Sequence, residues 1–205
     1  MRIYLVRHGM DNEGYRGGWS QRGLVAEGII QSIKLGRFIK DKNHEYGIKT
    51  IMSSDLPRAQ ETTREIEKEL NVSCVYHAEW REMNNGLLAG MPNHEEQLKY
   101  PGVYFNTLDM NASFPGGETP RNFYERIRNS FKELCTKIEE GEVETNIMIV
   151  THGGVINVIY YYLNDQEWTN KSSFYPISHT SVHIVEKEIE GWKLAERNII
   201  EHLTN

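Results

Sequence analysis

Cysteine is scarce in this chain. Cys74 and Cys135 are the only two in 205 residues, and they lie far apart without metal-ligand spacing. Both read as reduced core or helix residues, and cysteine used this sparingly points to the cytoplasm. Long apolar runs are missing as well, so nothing in the sequence is expected to cross a membrane. Met1-Arg2 passes straight into a strand-like run with no signal-peptide cleavage pattern. There is no basic excess: 23 Lys and Arg stand against 29 Asp and Glu, a net charge of −6. That balance disfavours general nucleic-acid binding, and the four tryptophans and eleven tyrosines do not interleave with basic residues. An acidic protein that binds an anion must concentrate its arginines locally. Low-complexity segments and repeat arrays are also absent.

What is present is the composition of a globular domain, 39% hydrophobic and 25% charged, over a length that fits one domain spanning 1–205. Two segments stand out: Ile3-Tyr-Leu-Val-Arg-His-Gly9 and Ile147-Met-Ile-Val-Thr-His-Gly-Gly154. Each is a short apolar run, as in a buried parallel strand, that stops at a His-Gly step. Ligands of open α/β sheets bind beyond the carboxyl ends of the strands. Two histidines placed there by two strands can face one site. Arg7 adds a fixed positive charge and a planar fork of donors suited to phosphate. The combination suggests phosphoryl chemistry carried on histidine.

The rest of the chain alternates in the same way. Strands are expected at about Arg2–Val6, Ile48–Met52, Val72–Tyr76, Asn146–Thr151, Ser181–Lys187 and Trp192–Arg197. The last two are joined by a Glu190-Gly191 turn and read as antiparallel. Helices are expected from Leu24 to about Lys40, with Ile29, Ile33, Leu35, Phe38 and Ile39 near helical spacing, and from Pro57 to about Leu70, capped by Ser54 or Asp55. Two more run from Thr119-Pro120 to about Glu140 and from Gly154 to Leu163. The stretch 79–114 is the least periodic and reads as a loop-and-short-helix insertion over the site, a usual place for substrate selection.

A neutral imidazole held in one tautomer is a good nucleophile toward phosphorus, and attack yields a phosphohistidine that water can cleave. The phosphoryl oxygens need several preorganised cationic donors. Arg7, Arg58 and His152 are candidates, with main-chain N–H groups around Gly153-Gly154 at a helix start. A leaving alkoxide needs a proton, and Glu82 is placed to supply it. Blander readings exist: Arg58 could neutralise Glu61 or Glu65, Glu82 could be a solvated loop carboxylate, and Glu118 could contact the site or merely start its helix. A zinc site is disfavoured because Arg7 would oppose the cation.

Five pieces occur in an order that resembles the histidine phosphatase family, the superfamily of phosphoglycerate mutases and related phosphatases. They are Leu5-Val-Arg-His-Gly9, Ser53-Ser-Asp-Leu-Pro-Arg-Ala59, Arg81-Glu82 followed by Gly86 and Gly90, Pro115-Gly-Gly-Glu118, and Val150-Thr-His-Gly-Gly154. The similarity extends from Arg2 to about Leu203. It implies an α/β three-layer sandwich, a mixed and mostly parallel sheet flanked by helices. It also implies that His8 is the phosphorylated nucleophile, that Arg7, Arg58 and His152 complete the phosphate pocket with Gly153, and that Glu82 is the proton donor. No metal or organic cofactor is implied for hydrolysis, and the expected partner is a small phosphorylated metabolite.

The chain departs from the family's usual pattern at four places. Met10 replaces a Glu after Arg-His-Gly, Gly14 stands where Asn is common with Asn12 nearby as a substitute, Val25 replaces a Thr, and His179 stands where many members have Asn. Asn12 and His179 are therefore candidate substrate contacts. The mutases carry Glu-Arg-His-Tyr at the acid and basic residues downstream that grip a carboxylate. Here Met83-Asn84-Asn85 follows Glu82, and Lys99 is the one basic residue besides His94 between Leu87 and Phe114. Hydrolysis is thus favoured over mutase-type transfer or binding of a phospho-ligand without turnover.

Overall fold

In the computed structural model, which describes residues 1–204, six strands form one sheet. They are β1 (Arg2–Arg7), β2 (Thr50–Ser54), β3 (Cys74–His77), β4 (Ile147–Thr151), β5 (Val182–Glu188) and β6 (Gly191–Ile199), in the spatial order β3-β2-β4-β1-β5-β6. The first four are parallel, while β5 and β6 run antiparallel at the β1 side. Helices α1 (Ala26–Tyr46), α2 (Pro57–Leu70), α3 (Asn93–Lys99), α4 (Pro120–Glu139) and α5 (Gly153–Leu163) complete the fold. None is long and apolar enough to cross a membrane among the described residues.

The unbroken apolar runs of β1 and β4 follow from burial on both faces. Ile3, Leu5, Ile147 and Ile149 pack into a core shared with α4 and α5, through Phe123, Ile127, Phe131 and Val155. Tyr4, Val6, Met148 and Val150 face the other way, onto Leu35, Ile39, Ala59 and Ile66 of α1 and α2. All eight strand residues have no solvent exposure. Each buried aliphatic side chain contributes about 1.5–3 kcal/mol, so the paired centre of the sheet is the firmest base the fold offers. The register Arg7↔Thr151 then sets His8 and His152 beside each other just past the strand ends.

Several boundaries differ from the sequence expectation for identifiable reasons. Helix α1 continues six residues beyond Lys40 through a polar stretch without apolar periodicity and stops at Gly47, which takes a left-handed φ of 61°. Its buried face runs through Gly28, Gln31, Ser32, Leu35 and Ile39, while Ile29 is 45% exposed. Polar Gln31 and Ser32 are buried because they serve the site. The cap of α2 is not Ser54 or Asp55 but Leu56, with no side-chain capping bond. Those two side chains are committed elsewhere, to His152 and Arg81. Thr119 does cap α4, accepting from Asn122 N–H.

Candidate active site

The strand ends are drawn tightly against α1 and α2. A Cβ on Gly9 would lie 2.5 Å from the Gly28 carbonyl oxygen, so the residue after His8 has no room for a side chain. Gly9 N–H donates to Thr62 Oγ1 and Met10 N–H to Gln31 Oε1. With its backbone pinned, His8 is 4% exposed and its ring is fixed from both nitrogens. Nδ1–H donates to the Gly9 carbonyl at 2.7 Å, and Nε2 accepts from Arg58 Nε–H at 3.1 Å. Burial, then the nearby Arg58 and Arg7 charges, hold its pKa well below the usual histidine value. The ring is neutral, with a lone pair on Nε2.

Two guanidinium groups flank that nitrogen. Arg58, 2% exposed, is anchored by donating to the carbonyls of Gly18 and Ser20, not to Glu61 or Glu65. Glu61 instead accepts from Leu24 N–H. Arg7 donates to the Ile177 carbonyl at 2.7 Å and to His179 Nε2 at 2.8 Å, leaving its Nε buried without a partner. Burial and Arg7 push His179 down to about 4, so it accepts as a neutral ring. His152 is fully buried, its ring centroid 5.0 Å from that of His8. Its Nε2 pairs with Ser54 Oγ at 2.8 Å and its Nδ1 has no partner. Burial, Arg58 and His8 depress its pKa, so its place among the donors is that of a neutral imidazole rather than the cation expected from sequence.

Glu82 comes to the same cavity from the loop after β3. One carboxylate oxygen accepts from Gly154 N–H at the start of α5 and the other from Met83 N–H. A Cβ on Gly154 would fall 2.3 Å from that carboxylate, which explains the second glycine of the His-Gly-Gly step. The loop is held on all sides. Trp19 Nε1–H and Arg126 donate to the Glu82 carbonyl, and Arg126 also donates to the carbonyls of Glu79 and Arg81. Arg81 makes a two-pronged pair with Asp55 at 2.5 and 2.6 Å. Glu118 accepts from Arg126 and from Asn84 N–H, so its part is to hold this loop rather than to line the cavity.

The cavity holds about 530 Å³ and is lined by Arg7, His8, Arg58, Glu82 and Gly153 together with residues of two further segments. Phe105 and Asn106 come from the stretch 79–114, and Trp168, Asn170 and Phe174 from the irregular segment between α5 and β5. Asn12 is exposed and turned away, its Oδ1 accepting from Gly14 N–H. Its neighbour Asp11, which the sequence reading passed over, lines the cavity instead, 3.5 Å from Arg58 Nε and 4.0 Å from His179 Nε2. The signal for it was its position three residues past His8 in a Gly-rich loop.

His8, Asp11 and His179 each present a ligand-type atom, all within 4.8 Å of one another. Every one of these atoms already faces a guanidinium: Arg58 stands against His8 and Asp11, and Arg7 against His179. Two fixed positive charges oppose a divalent cation and favour an anion. The arrangement is an imidazole nitrogen with a lone pair, two guanidinium cations, a helix N-terminus and two carboxylates around one space.

Three likenesses to known proteins agree with this geometry. The chain is 26% identical over 198 residues to a broad-specificity phosphatase of Saccharomyces cerevisiae, covering 91% of this chain and 79% of that one. It is 26% identical over 210 residues to a metal-independent phosphoserine phosphatase of Arabidopsis thaliana, covering 99% and 83%. The fold matches that of YhfR from Bacillus stearothermophilus with a TM-score of 0.82 at 22% identity, over 98% of each chain. The family model for the histidine phosphatase superfamily (branch 1) matches residues 3–200, and the chain belongs to that superfamily.

Proposed function

We propose that the protein is a metal-independent phosphatase that hydrolyses a small phosphomonoester through a phosphohistidine on His8, with Glu82 as proton donor. The observation that carries this reading is His8 itself: a buried, neutral imidazole with Nδ1–H tied to a carbonyl and the Nε2 electron pair turned toward Arg58, with Arg7 nearby.

In the first step, the Nε2 lone pair attacks phosphorus and the P–O bond to the alcohol breaks. Arg58 Nε–H, released from Nε2, turns to a phosphoryl oxygen, and the unpartnered Arg7 Nε takes another. Protonated Glu82 gives its proton to the leaving oxygen. In the second step, the Glu82 carboxylate takes a proton from water, the water oxygen bonds to phosphorus, and the P–N bond breaks. Inorganic phosphate leaves, His8 is neutral again and Glu82 is protonated again. His152, with Ser54 donating to its Nε2, offers Nδ1–H to the transferring group, as does main-chain N–H at Gly153. Asp11 lines the cavity beside Arg58, and the neutral His179 ring steadies Arg7 from behind.

The experiment is phosphate release from p-nitrophenyl phosphate from acidic to neutral pH, with EDTA present, comparing the native chain with His8→Ala. Turnover that survives EDTA and is lost in the variant is expected. Turnover retained by His8→Ala would overturn the assignment of the nucleophile. Isomer interconversion of phosphoglycerates without phosphate release would point to a mutase.

A further inference from the structure

The cavity is much larger than a phosphate group, and its two halves differ in kind. Among the described residues, the charged ones that line it are Arg7, Asp11, Arg16, Arg58 and Glu82. Arg7 and Arg58 belong to the floor around His8. Arg16 is already engaged: Nη1 is 3.5 Å from the buried Glu96 carboxylate, and the guanidinium lies over the Phe114 ring. Among the described residues, no further cation lines the outer walls. Lys171, between two lining residues, is exposed and does not line the cavity.

Aromatic rings and neutral polar groups make up those walls. Phe174 is 58% exposed, yet its ring lies 3.5 Å from where a Cβ on Gly153 would sit, at the junction of floor and mouth. Phe174 thus offers an uncovered aromatic face beside the phosphate site. On the other side is Phe105, with Trp168 behind it, itself stacked on Tyr124 at 5.5 Å. Asn170 ties the two walls together by donating to the carbonyls of Phe105 and Leu108, and its Oδ1 is buried without a partner. Asn106, Asn157 and Ser172 supply further neutral donors and acceptors.

We infer that the outer half of this cavity receives the alcohol part of a phosphomonoester that is uncharged and carries an aromatic or flat apolar ring. Esters whose alcohol part bears a carboxylate or a second phosphate are selected against. A ring entering beside Phe174 exchanges water for aromatic contact. A second anion in the same place loses its hydration and meets no counter-charge. The inference rests on the phosphate being seated at His8, as proposed above, and names the substrate class of that site.

The test is equilibrium binding of three phosphonates, which cannot be hydrolysed, to the intact protein: ethylphosphonate, 2-phenylethylphosphonate and 2-carboxyethylphosphonate. The phenylethyl compound is expected to bind at least about tenfold more tightly than the ethyl compound. The carboxyethyl compound is expected to bind more weakly than either. Phe174→Ala should narrow the phenylethyl-to-ethyl ratio severalfold, and Asn106→Arg should raise the carboxyethyl-to-ethyl ratio. Equal or tighter binding of the carboxyethyl compound than of the phenylethyl compound would overturn the inference, as would a ratio unmoved by Phe174→Ala. Turnover of p-nitrophenyl phosphate, measured on the same preparation, separates the two proposals. Phenylethyl preference without turnover sinks the phosphatase reading alone, and turnover with carboxyethyl preference sinks this one alone.

Discussion

Gly154→Ala tests the role proposed for Glu82 without replacing it. The added Cβ would fall 2.3 Å from one Glu82 carboxylate oxygen and 2.9 Å from its Cδ, where ordinary contact begins at 3.4 Å. The carboxylate must retreat by about 1 Å and give up its bond to Gly154 N–H, and a displacement of that size can cost about a hundredfold in rate. General acid catalysis contributes roughly 10²–10⁴, so the loss falls on esters whose alkoxide needs the proton. For an alkyl phosphate kcat should drop about a hundredfold, and for p-nitrophenyl phosphate, with its good leaving group, less than about tenfold. Glu82→Gln should reproduce that split. In the double variant Gly154→Ala should add little, since both changes remove one function. The fold should tolerate the change, because Gly154 does not have a positive φ and alanine is the better helix former by up to about 1 kcal/mol. Equal losses for both esters at unchanged Tm, or full additivity with Glu82→Gln, would refute the role given to this carboxylate.

Asp11→Asn should tighten phosphate binding. A unit charge about 6 Å from the bound anion, at an effective dielectric of about 40, opposes it by about 1.4 kcal/mol. Titration with phosphate should therefore show up to about tenfold lower Kd, and weaker binding would mean that Asp11 assists the site. Arg126→Met removes a cation bonded to Glu118 and to the carbonyls of Glu79, Arg81 and Glu82; it should cost about 1.5–3 kcal/mol in urea unfolding and slow alkyl esters more than aryl ones. The buried histidines make stability fall with acid. Burial holds His183 at about 3, burial with Lys34 nearby holds His202 at about 4, and His8 and His152 lie well below the ordinary 6.5. The unfolded chain binds these protons first, so their contribution is complete above about pH 6.5 and is lost on going down, by about 1.4 kcal/mol per pH unit per histidine. Unfolding at pH 7 and pH 5 should differ by several kcal/mol, and His183→Gln should remove about one histidine's share; a flat profile would contradict the burial argument.

The parts of the site that rest on regular structure were legible in the sequence. His8 and His152 announce themselves because an apolar strand must end somewhere, and a histidine followed by glycine at such an end has few other uses. Arg58 could be placed because Pro57 marks the first turn of its helix. What could not be read was the far wall of the cavity. Trp168, Asn170 and Phe174 lie in a segment without periodicity, held by long-range bonds such as those of Asn170 to the Phe105 and Leu108 carbonyls, some 60 residues away in the chain. Asn12 and Asp11 show the same limit at close range, since one turn decides which of two adjacent polar residues faces inward. Tyr160 packs on the buried face of α5, and its hydroxyl also pairs with His183, a pairing only the sheet brings about.

The sheet order has a consequence for how activity arises as the chain folds. Strands β1 and β2 never touch each other as a pair; β4 lies between them, and it is made nearly a hundred residues after β2. Until it arrives, two apolar strand edges face a gap, which is the condition under which chains associate wrongly. Closing that gap joins distant segments, a slow event compared with forming any local hairpin. The insertion that seals the sheet is also the one that brings His152 to His8 and starts the helix on which Glu82 leans. Fragments that end before β4 would hold His8 and both arginines yet no complete site. Recovery of turnover during refolding would then time the closure of the whole sheet, not the folding of any one part.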